Sequence, residues 1–230
     1  MAENPVTTRE QILQVAMEYL MESGPAGFEA KDLAQRGWFN ASQVNYYFGN
    51  KNALIAEAAD ALFTEHVNSI IATVEAQSDP HRGLQVWCDK VVEFNTANGA
   101  TAALVAYPDL FLKFPDSDSS APSNAQVLDL TERVGTVLFS VVYAIARGKP
   151  YHRLNRGKVA FVALAMPRVT NSVVMIGMGA AGLAQVWEQH KREPIFGFDP
   201  RRAFLKGVNQ IVKDLAKETP PDFGEDIFDS

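Results

Sequence analysis

Apolar residues recur at helical spacing along most of the chain. Ile12, Ala16 and Leu20 follow each other at four-residue intervals, which places them on one face of a helix over residues 8–22. The same periodicity predicts helices over 30–36, 40–47, 51–76, 81–98, 101–113, 124–147, 155–166, 168–191 and 200–217. No alternation of apolar and polar residues indicates a strand. The sequence therefore predicts an all-α fold.

The short segment 40–47 has two different faces. At roughly 100° per residue, Val44 and Phe48 lie on one face, whereas Ser42, Asn45 and Tyr46 lie on the other. The second face carries a hydroxyl, an amide and a phenol, with no acidic group among them. Such groups can hydrogen-bond to base edges and to phosphates in the major groove of DNA. We therefore interpret this segment as a recognition helix.

The residues around this segment define where it begins and ends. Asn40 is a favourable N-cap, and Gly49 followed by Asn50 predicts a turn. Lys51 then opens the next helix, where a positive charge opposes the helix macrodipole, so we expect it to face an anion. Arg9 and Lys31 also stand at predicted helix starts. We predict that these three cations contact the phosphate backbone of DNA.

Residues 8–56 resemble the DNA-binding domain of the TetR family of transcriptional regulators. The resemblance rests on the first helix, on Lys31-Asp-Leu-Ala34 and above all on Asn45-Tyr-Tyr-Phe-Gly-Asn-Lys-Asn-Ala-Leu54. The last segment is similar to the family signature Tyr-Tyr-His-Phe-x-x-Lys-x-x-Leu. The resemblance implies an N-terminal helix-turn-helix over 29–48 that binds double-stranded operator DNA. The predicted DNA-binding residues are Arg9, Lys31, Asn40, Ser42, Gln43, Asn45, Tyr46, Tyr47 and Lys51.

The sequence departs from the family pattern at several positions of this motif. Trp38 stands where the family usually has the turn glycine, and Glu29 stands where it often has a capping Ser or Thr. Ala41 replaces a common lysine, and Asn45 and Tyr47 replace the usual Tyr and His. We interpret these changes as altered DNA contacts within the same fold.

The predicted organisation has three parts: a DNA-binding domain over 1–56, a larger helical ligand-binding and dimerisation domain over 57–218, and an acidic tail over 219–230 that we expect to be flexible. The first boundary falls inside the long helix 51–76, which would link the two domains rigidly. The resemblance implies a homodimer formed through the last two helices, at about 168–191 and 200–217. Such a dimer would place two recognition helices on a roughly palindromic operator.

Large apolar side chains in the body predict a cavity for a small apolar or amphipathic effector. Any one of these aromatic residues is more simply explained as core, so the prediction rests on the set. The candidate ligand-binding residues are Trp87, Phe94, Asn98, Tyr107, Phe111, Arg133, Phe139, Tyr143, Asn171 and Trp187.

Charge and cysteine usage restrict these interpretations. The formal net charge of -6 argues against an unspecific nucleic-acid binder. Residues 1–56 hold four bases (Arg9, Lys31, Arg36, Lys51) against six acids (Glu3, Glu10, Glu18, Glu22, Glu29, Asp32), so affinity must come largely from specific contacts. The single Cys88 excludes an internal disulfide, and in its apolar helix we predict a core residue. With no signal segment recognised, we expect a cytoplasmic protein that does not bind membranes.

Catalytic chemistry finds little support in the sequence. His66, His81, His152 and His190 are scattered, and no glycine-rich loop follows a strand. We therefore predict no enzyme activity, no metal and no cofactor, and a ligand-responsive DNA-binding regulator that acts as a repressor. Two alternatives stay open: a helical adaptor that has lost DNA binding, suggested by the acidic N-terminal region and Trp38, and a small helical enzyme that uses the body cavity.

Overall fold

The computed structural model describes residues 8–25, 28–37, 39–97, 101, 124–189, 199–215 and 217. Within these residues all regular structure is helical. The helices are α1 (Thr8–Ser23), α2 (Ala30–Gly37), α3 (Ala41–Phe48), α4 (Lys51–Glu75), α5 (Pro80–Ala97), α6 (Asn124–Arg147), α7 (Arg156–Ala165), α8 (Pro167–Gln189) and α9 (Pro200–Leu215). The predicted all-α fold is confirmed. Three predicted features lie outside the described residues: the turn residue Trp38, the tail 219–230, and the helix predicted over 101–113, of which only residue 101 is described.

The described residues divide into two compact units, and the division falls within α4. The first unit contains the described part of residues 1–66 and 97–128, and the second contains that of 67–96 and 129–230. The structure divides the chain after His66, whereas the sequence predicted a first boundary after residue 56. The assignment of a function to each part stays a prediction.

The first unit is built around the apolar faces of α1 to α4. Its fully buried side chains include the three residues of α1 predicted from their spacing, together with Phe28, Leu33, Val44 and Leu54. The ring of Phe28 meets that of Tyr19 edge to face, with centroids 5.3 Å apart. This core places α3 against the other helices, because only one side of α3 is apolar.

The side chain of Phe39 lies against Gly37 at the end of α2. A Cβ atom on Gly37 would lie 2.0 Å from Cε1 of Phe39, so the Phe39 ring occupies the space that any larger residue would need. Phe39 packs against the core of the unit, and its N–H donates to the carbonyl of Ala34 at 3.3 Å. Gly37, one residue before Trp38 in the sequence, is thus a position where a side chain would meet the Phe39 ring.

In the second unit α6 forms the most deeply buried segment. Residues 137–146 are all buried. Ser140 donates to the carbonyl of Thr136 at 2.7 Å and accepts from the N–H of Leu154 at 3.0 Å, which satisfies its hydroxyl inside the core. Cys88 on α5 is also buried, and this burial raises the pKa of its thiol to about 12. The prediction that Cys88 is a core residue is confirmed.

α7 and α8 meet at a sharp bend and carry most of the large apolar side chains that are exposed among the described residues. The chain turns by 108° between α7 and the first part of α8, where Pro167 has no N–H to continue the helix of α7. Large apolar side chains are exposed on both helices at Phe161, Leu164, Val174, Met175 and Met178. In the described part of the chain no single helix is long and apolar enough to cross a membrane, although the bent pair meets that test by length and composition.

Candidate nucleic-acid interface

Local hydrogen bonds fix both ends of α3, from side chains at its start and from the backbone at its end. The Oδ1 atom of Asn40 accepts from the N–H of Gln43 at 3.1 Å, and Oε1 of Gln43 accepts from the N–H of Asn40 at 2.9 Å. This reciprocal pair is a capping box, and it confirms Asn40 as the N-cap. At the other end Gly49 adopts φ 79°, and its N–H donates to the carbonyl of Asn45 at 2.9 Å. A helix of only eight residues is thereby held in one register.

The two faces of α3 have the orientation that the sequence predicts. Val44 and Phe48 are buried in the first unit, whereas Ser42 and Asn45 are exposed and Tyr46 is 81% exposed. Tyr47 is half-buried, and its ring lies edge to face with that of Tyr46 at a centroid distance of 4.9 Å. Gln43 is half-buried as well, while Ala41 is exposed at the start of the helix. The outward face of α3 is therefore polar, aromatic and free of acidic side chains.

Arg9 does not simply project from the start of α1. Its Nη2 atom donates to both carboxylate oxygens of Glu57 on α4, at 2.8 and 2.7 Å. Its guanidinium carbon also lies 4.7 Å from the ring centroid of Phe48, the last residue of α3. Arg9 thus contacts two other helices of the unit, and its charge is balanced within the molecule.

Lys51 likewise has partners inside the first unit. Its Nζ donates to the carbonyl of Phe28 at 3.1 Å and lies 3.5 Å from Oε1 of Glu29. The anion that faces it in this structure is thus a carboxylate of the same chain. Lys31 is exposed on the first turn of α2. Its contact with phosphate, and those of Arg9 and Lys51, stay predictions.

Several residues that shape this interface were not identified from the sequence. Glu57 is separated from its partner Arg9 by 48 positions, and no local pattern connects two residues so far apart. The same holds for the Phe28 carbonyl, which Lys51 binds across 23 positions. The role of Gln43 as a cap could have been found, because an amide three residues after an Asn N-cap fits the capping-box pattern.

The residues proposed for effector binding are only partly covered by the structure. Trp87, Phe94, Phe139 and Tyr143 are buried in the second unit, which is where a ligand site or an ordinary core would place them. Arg133 is half-buried and donates to Oδ1 of Asn68 at 2.7 Å. Asn171 is exposed on α8. Asn98, Tyr107, Phe111 and the side chain of Trp187 lie outside the described residues.

One buried side chain of this set, Trp87, has a polar atom without a hydrogen-bond partner among the described residues. Nε1 of Trp87 is buried and has no hydrogen-bond partner among the described residues. A buried indole N–H usually finds an acceptor. Trp87 is therefore the member of the ligand set whose polar atom is open to an additional partner.

Comparison with known proteins identifies the fold. No protein-family model matches the sequence, and no curated protein matches it. Several solved structures match over almost the whole chain. The fatty acid degradation regulator FadR from Bacillus halodurans has a TM-score of 0.56 at 12% identity, covering 92% of this chain and 96% of its own. The transcriptional regulator FadR from Bacillus subtilis, solved with stearoyl-CoA, has a TM-score of 0.53 at 13% identity, covering 90% and 96%.

A TetR transcriptional regulator from Streptomyces coelicolor also matches, with a TM-score of 0.48 at 18% identity over 92% of this chain and 98% of its own. At such low identities, the matches to the two FadR structures show only that the helices are arranged similarly. The helix-turn-helix followed by a larger helical body, predicted from sequence, agrees with that arrangement. This chain therefore has the fold of the two Bacillus FadR transcriptional regulators.

Proposed function

We propose that this protein is a homodimeric transcriptional regulator that binds operator DNA through α3 and releases it when a small molecule binds the helical body. It acts as a repressor in the cytoplasm and catalyses no reaction. The observation that carries this proposal is the outward face of α3: an eight-residue helix, capped at both ends, turns its apolar side into the core and its amide, hydroxyl and phenol groups into solvent. This is the arrangement that base reading in the major groove requires.

Specific contacts must supply most of the affinity for DNA. Three of the four cations in residues 1–56 lie next to a carboxylate of the same chain, in the pairs Arg9–Glu57, Arg36–Glu22 and Lys51–Glu29. Paired cations displace few counterions from DNA, so unspecific binding is weak. Tyr46 and Asn45 are the side chains best placed to read bases, and Lys31 to contact a phosphate.

The effector is proposed to be apolar or amphipathic. The buried aromatic residues of the second unit would supply the apolar walls, and Nε1 of Trp87 could donate to an acceptor on the ligand. Stearoyl-CoA, which binds the FadR from Bacillus subtilis, is an amphipathic molecule of this class, so acyl-CoA thioesters are the first compounds to test. To lower operator occupancy a hundredfold, an effector must favour the non-binding state by about 3 kcal/mol.

Dimerisation is proposed to use α8 and α9, at about 168–191 and 200–217, with two recognition helices on half-sites about one DNA turn apart. Val174, Met175 and Met178 support this, because they form one exposed apolar stripe on α8. Exposed apolar patches of this kind mark protein interfaces.

The proposal is tested by selecting binding sequences from a random pool of DNA duplexes with the full-length protein. We expect enrichment of a sequence with inverted half-sites. Tyr46→Ala should then weaken binding to that duplex at least about fivefold, since a lost base contact costs about 1–3 kcal/mol. Met21→Ala removes another exposed large side chain of the first unit and should leave binding unchanged. Failure to enrich any duplex, or equal binding by the Tyr46→Ala protein, would contradict the proposal.

The response to effectors is measured on the same duplex. Release of the DNA by an acyl-CoA, with a concentration-dependent rise in melting temperature, would support the proposed ligand class. A series of chain lengths from acetyl-CoA to stearoyl-CoA separates recognition of the acyl chain from recognition of the nucleotide. Release that is equal across the series would contradict an apolar site.

A further inference from the structure

Arg9 joins three helices of the first unit at the end of the recognition helix. It belongs to α1, its Nη2 binds both carboxylate oxygens of Glu57 on α4 at 2.8 and 2.7 Å, and its guanidinium lies 4.7 Å from the ring centroid of Phe48. Phe48 is the last residue of α3 and is buried. The guanidinium therefore covers the aromatic side chain by which α3 is anchored in the core.

The charge of this pair makes Arg9 a poor phosphate contact. A cation adds to unspecific DNA affinity when its net charge releases counterions. With the Glu57 carboxylate at 2.7 Å, the two side chains together carry no net charge. A carboxylate at this position would be unfavourable for a site whose only task is to attract phosphates, but it is well suited to hold a guanidinium in a fixed orientation.

We propose that Arg9 and Glu57 are positioning residues, which set the orientation of the recognition helix through Phe48 and so determine DNA sequence specificity. The inference rests on the proposed function of α3 in DNA binding. It assigns a role to Glu57, which no sequence motif marks, and it gives Arg9 a role other than phosphate binding. Specificity depends on this pair because base contacts require correct placement of α3, whereas phosphate contacts tolerate small displacements.

The test compares affinity for the selected duplex with affinity for a scrambled duplex of equal length. The Glu57→Gln protein keeps the shape of the side chain and removes its charge, and the Arg9→Lys protein keeps the charge and removes the planar fork. If the pair positions α3, the ratio of the two affinities falls by about fivefold in each variant, which corresponds to about 1 kcal/mol. The salt dependence of Arg9→Lys binding should equal that of the wild type.

A phosphate contact predicts a different result. Glu57→Gln would then raise the affinity for both duplexes in parallel, because a repelling charge is lost, and Arg9→Lys would bind both like the wild type. An unchanged affinity ratio in the two variants would overturn the inference. Partial unfolding does not imitate the expected result, because it lowers both affinities by the same factor and leaves their ratio unchanged.

The chain contains a matched control for this chemistry. Arg36 donates to Glu22 at 2.5 Å, and its guanidinium lies 4.6 Å from the ring centroid of Tyr19. This is the same combination of arginine, glutamate and aromatic ring, but its ring belongs to α1 and not to α3. Arg36→Lys and Glu22→Gln should therefore leave the affinity ratio unchanged, and a fall equal to that of the Arg9 and Glu57 variants would contradict a specific role for the pair at Phe48.

Failure of the proposed function gives a different result from failure of this inference. If the wild-type protein enriches no duplex, the proposed function itself fails. If it enriches a duplex but the variants keep the wild-type affinity ratio, only the inference fails.

Discussion

Asp60 is a carboxylate in surroundings that disfavour its charge. It is half-buried on α4, and burial, with a smaller contribution from the nearby Glu57, raises its pKa from 3.8 to about 6. Between these two pH values the folded protein binds more protons than the unfolded chain. The free energy of unfolding contains a contribution from Asp60 that is fully present below pH 4 and is lost as the pH rises through 6.

Replacing Asp60 with Asn should remove this pH dependence. At pH 7.5 the Asp60→Asn protein should be more stable by about 1 kcal/mol, a figure reduced to allow for solvent screening of a partly exposed group. The measurement is urea unfolding of both proteins from pH 4 to pH 8. Asp89→Asn, at an exposed position of α5, should leave the profile of the wild type unchanged. Parallel profiles for wild type and Asp60→Asn would contradict the assignment.

Gly49 and Gly207 should respond in opposite ways to the same substitution. Gly49 has φ 79°, a conformation that costs alanine roughly 1 kcal/mol, and an added Cβ would have no atom within 4 Å, so backbone strain is the only cost. Gly207 lies in α9, is exposed and has the same open space, so alanine there should add up to about 1 kcal/mol of helix stability. Thermal unfolding should show a lower melting temperature for Gly49→Ala and a higher one for Gly207→Ala. A shift of both melting temperatures in the same direction would contradict the explanation.

At the scale of the element, α3 depends on its caps because eight residues are too few to form a stable helix alone. Asn40→Ala removes the side-chain acceptor for the Gln43 N–H, which also donates to the backbone carbonyl of residue 40, and should destabilise the first unit by about 1 kcal/mol. Asn40→Asp keeps a capping oxygen and should retain most of the stability. Hydrogen exchange at the amide of Gln43 reports the cap directly, and it should accelerate in Asn40→Ala alone. Equal exchange rates in the two variants would show that the cap does not hold the helix.

The helices were predictable because their signals are local. Val44 and Phe48 define the buried side of α3 by their spacing, and Asn40 and Gly49 mark its ends by their own backbone preferences. The partners of Arg9 and Lys51 were not predictable, because Glu57 and the Phe28 carbonyl reach them only through the tertiary fold. The helix macrodipole indicates that Lys51 needs an anion, but it does not indicate that Oε1 of Glu29 lies 3.5 Å from its Nζ.

The same limit applies to the turn before α3. Trp38 stands where regulators of the TetR family usually have a glycine, so the sequence predicted an altered turn at that position. The structure shows a glycine requirement at Gly37, because the ring of Phe39 fills the space beside its Cα. Steric fit between residues two positions apart depends on the path of the backbone, which composition alone does not specify.

At the scale of the whole molecule, the described residues include an exposed apolar stripe on α8 that burial within a single chain does not account for. Val174, Met175 and Met178 are exposed, and the stripe they form carries no charged residue. In contrast, the exposed positions of α9 other than Gly207 are polar, as at Arg202, Lys206 and Asn209. In the proposed dimer, the apolar part of the interface would therefore come mainly from α8.

Met178→Glu should weaken the proposed dimer, because burying an unpaired charge at an interface costs about 3 kcal/mol or more. This cost corresponds to at least about a hundredfold increase in the dimer dissociation constant. Sedimentation analysis at micromolar concentration should show a dimer for the wild type and a monomer for the variant. Gln85→Glu introduces the same charge at an exposed position of α5 and should remain dimeric.

Because one recognition helix covers one half-site, the Met178→Glu protein should bind a single half-site as well as the wild-type protomer does. It should lose the additional affinity that the wild-type dimer gains from the second half-site. A dimeric Met178→Glu protein would show that α8 does not form the interface.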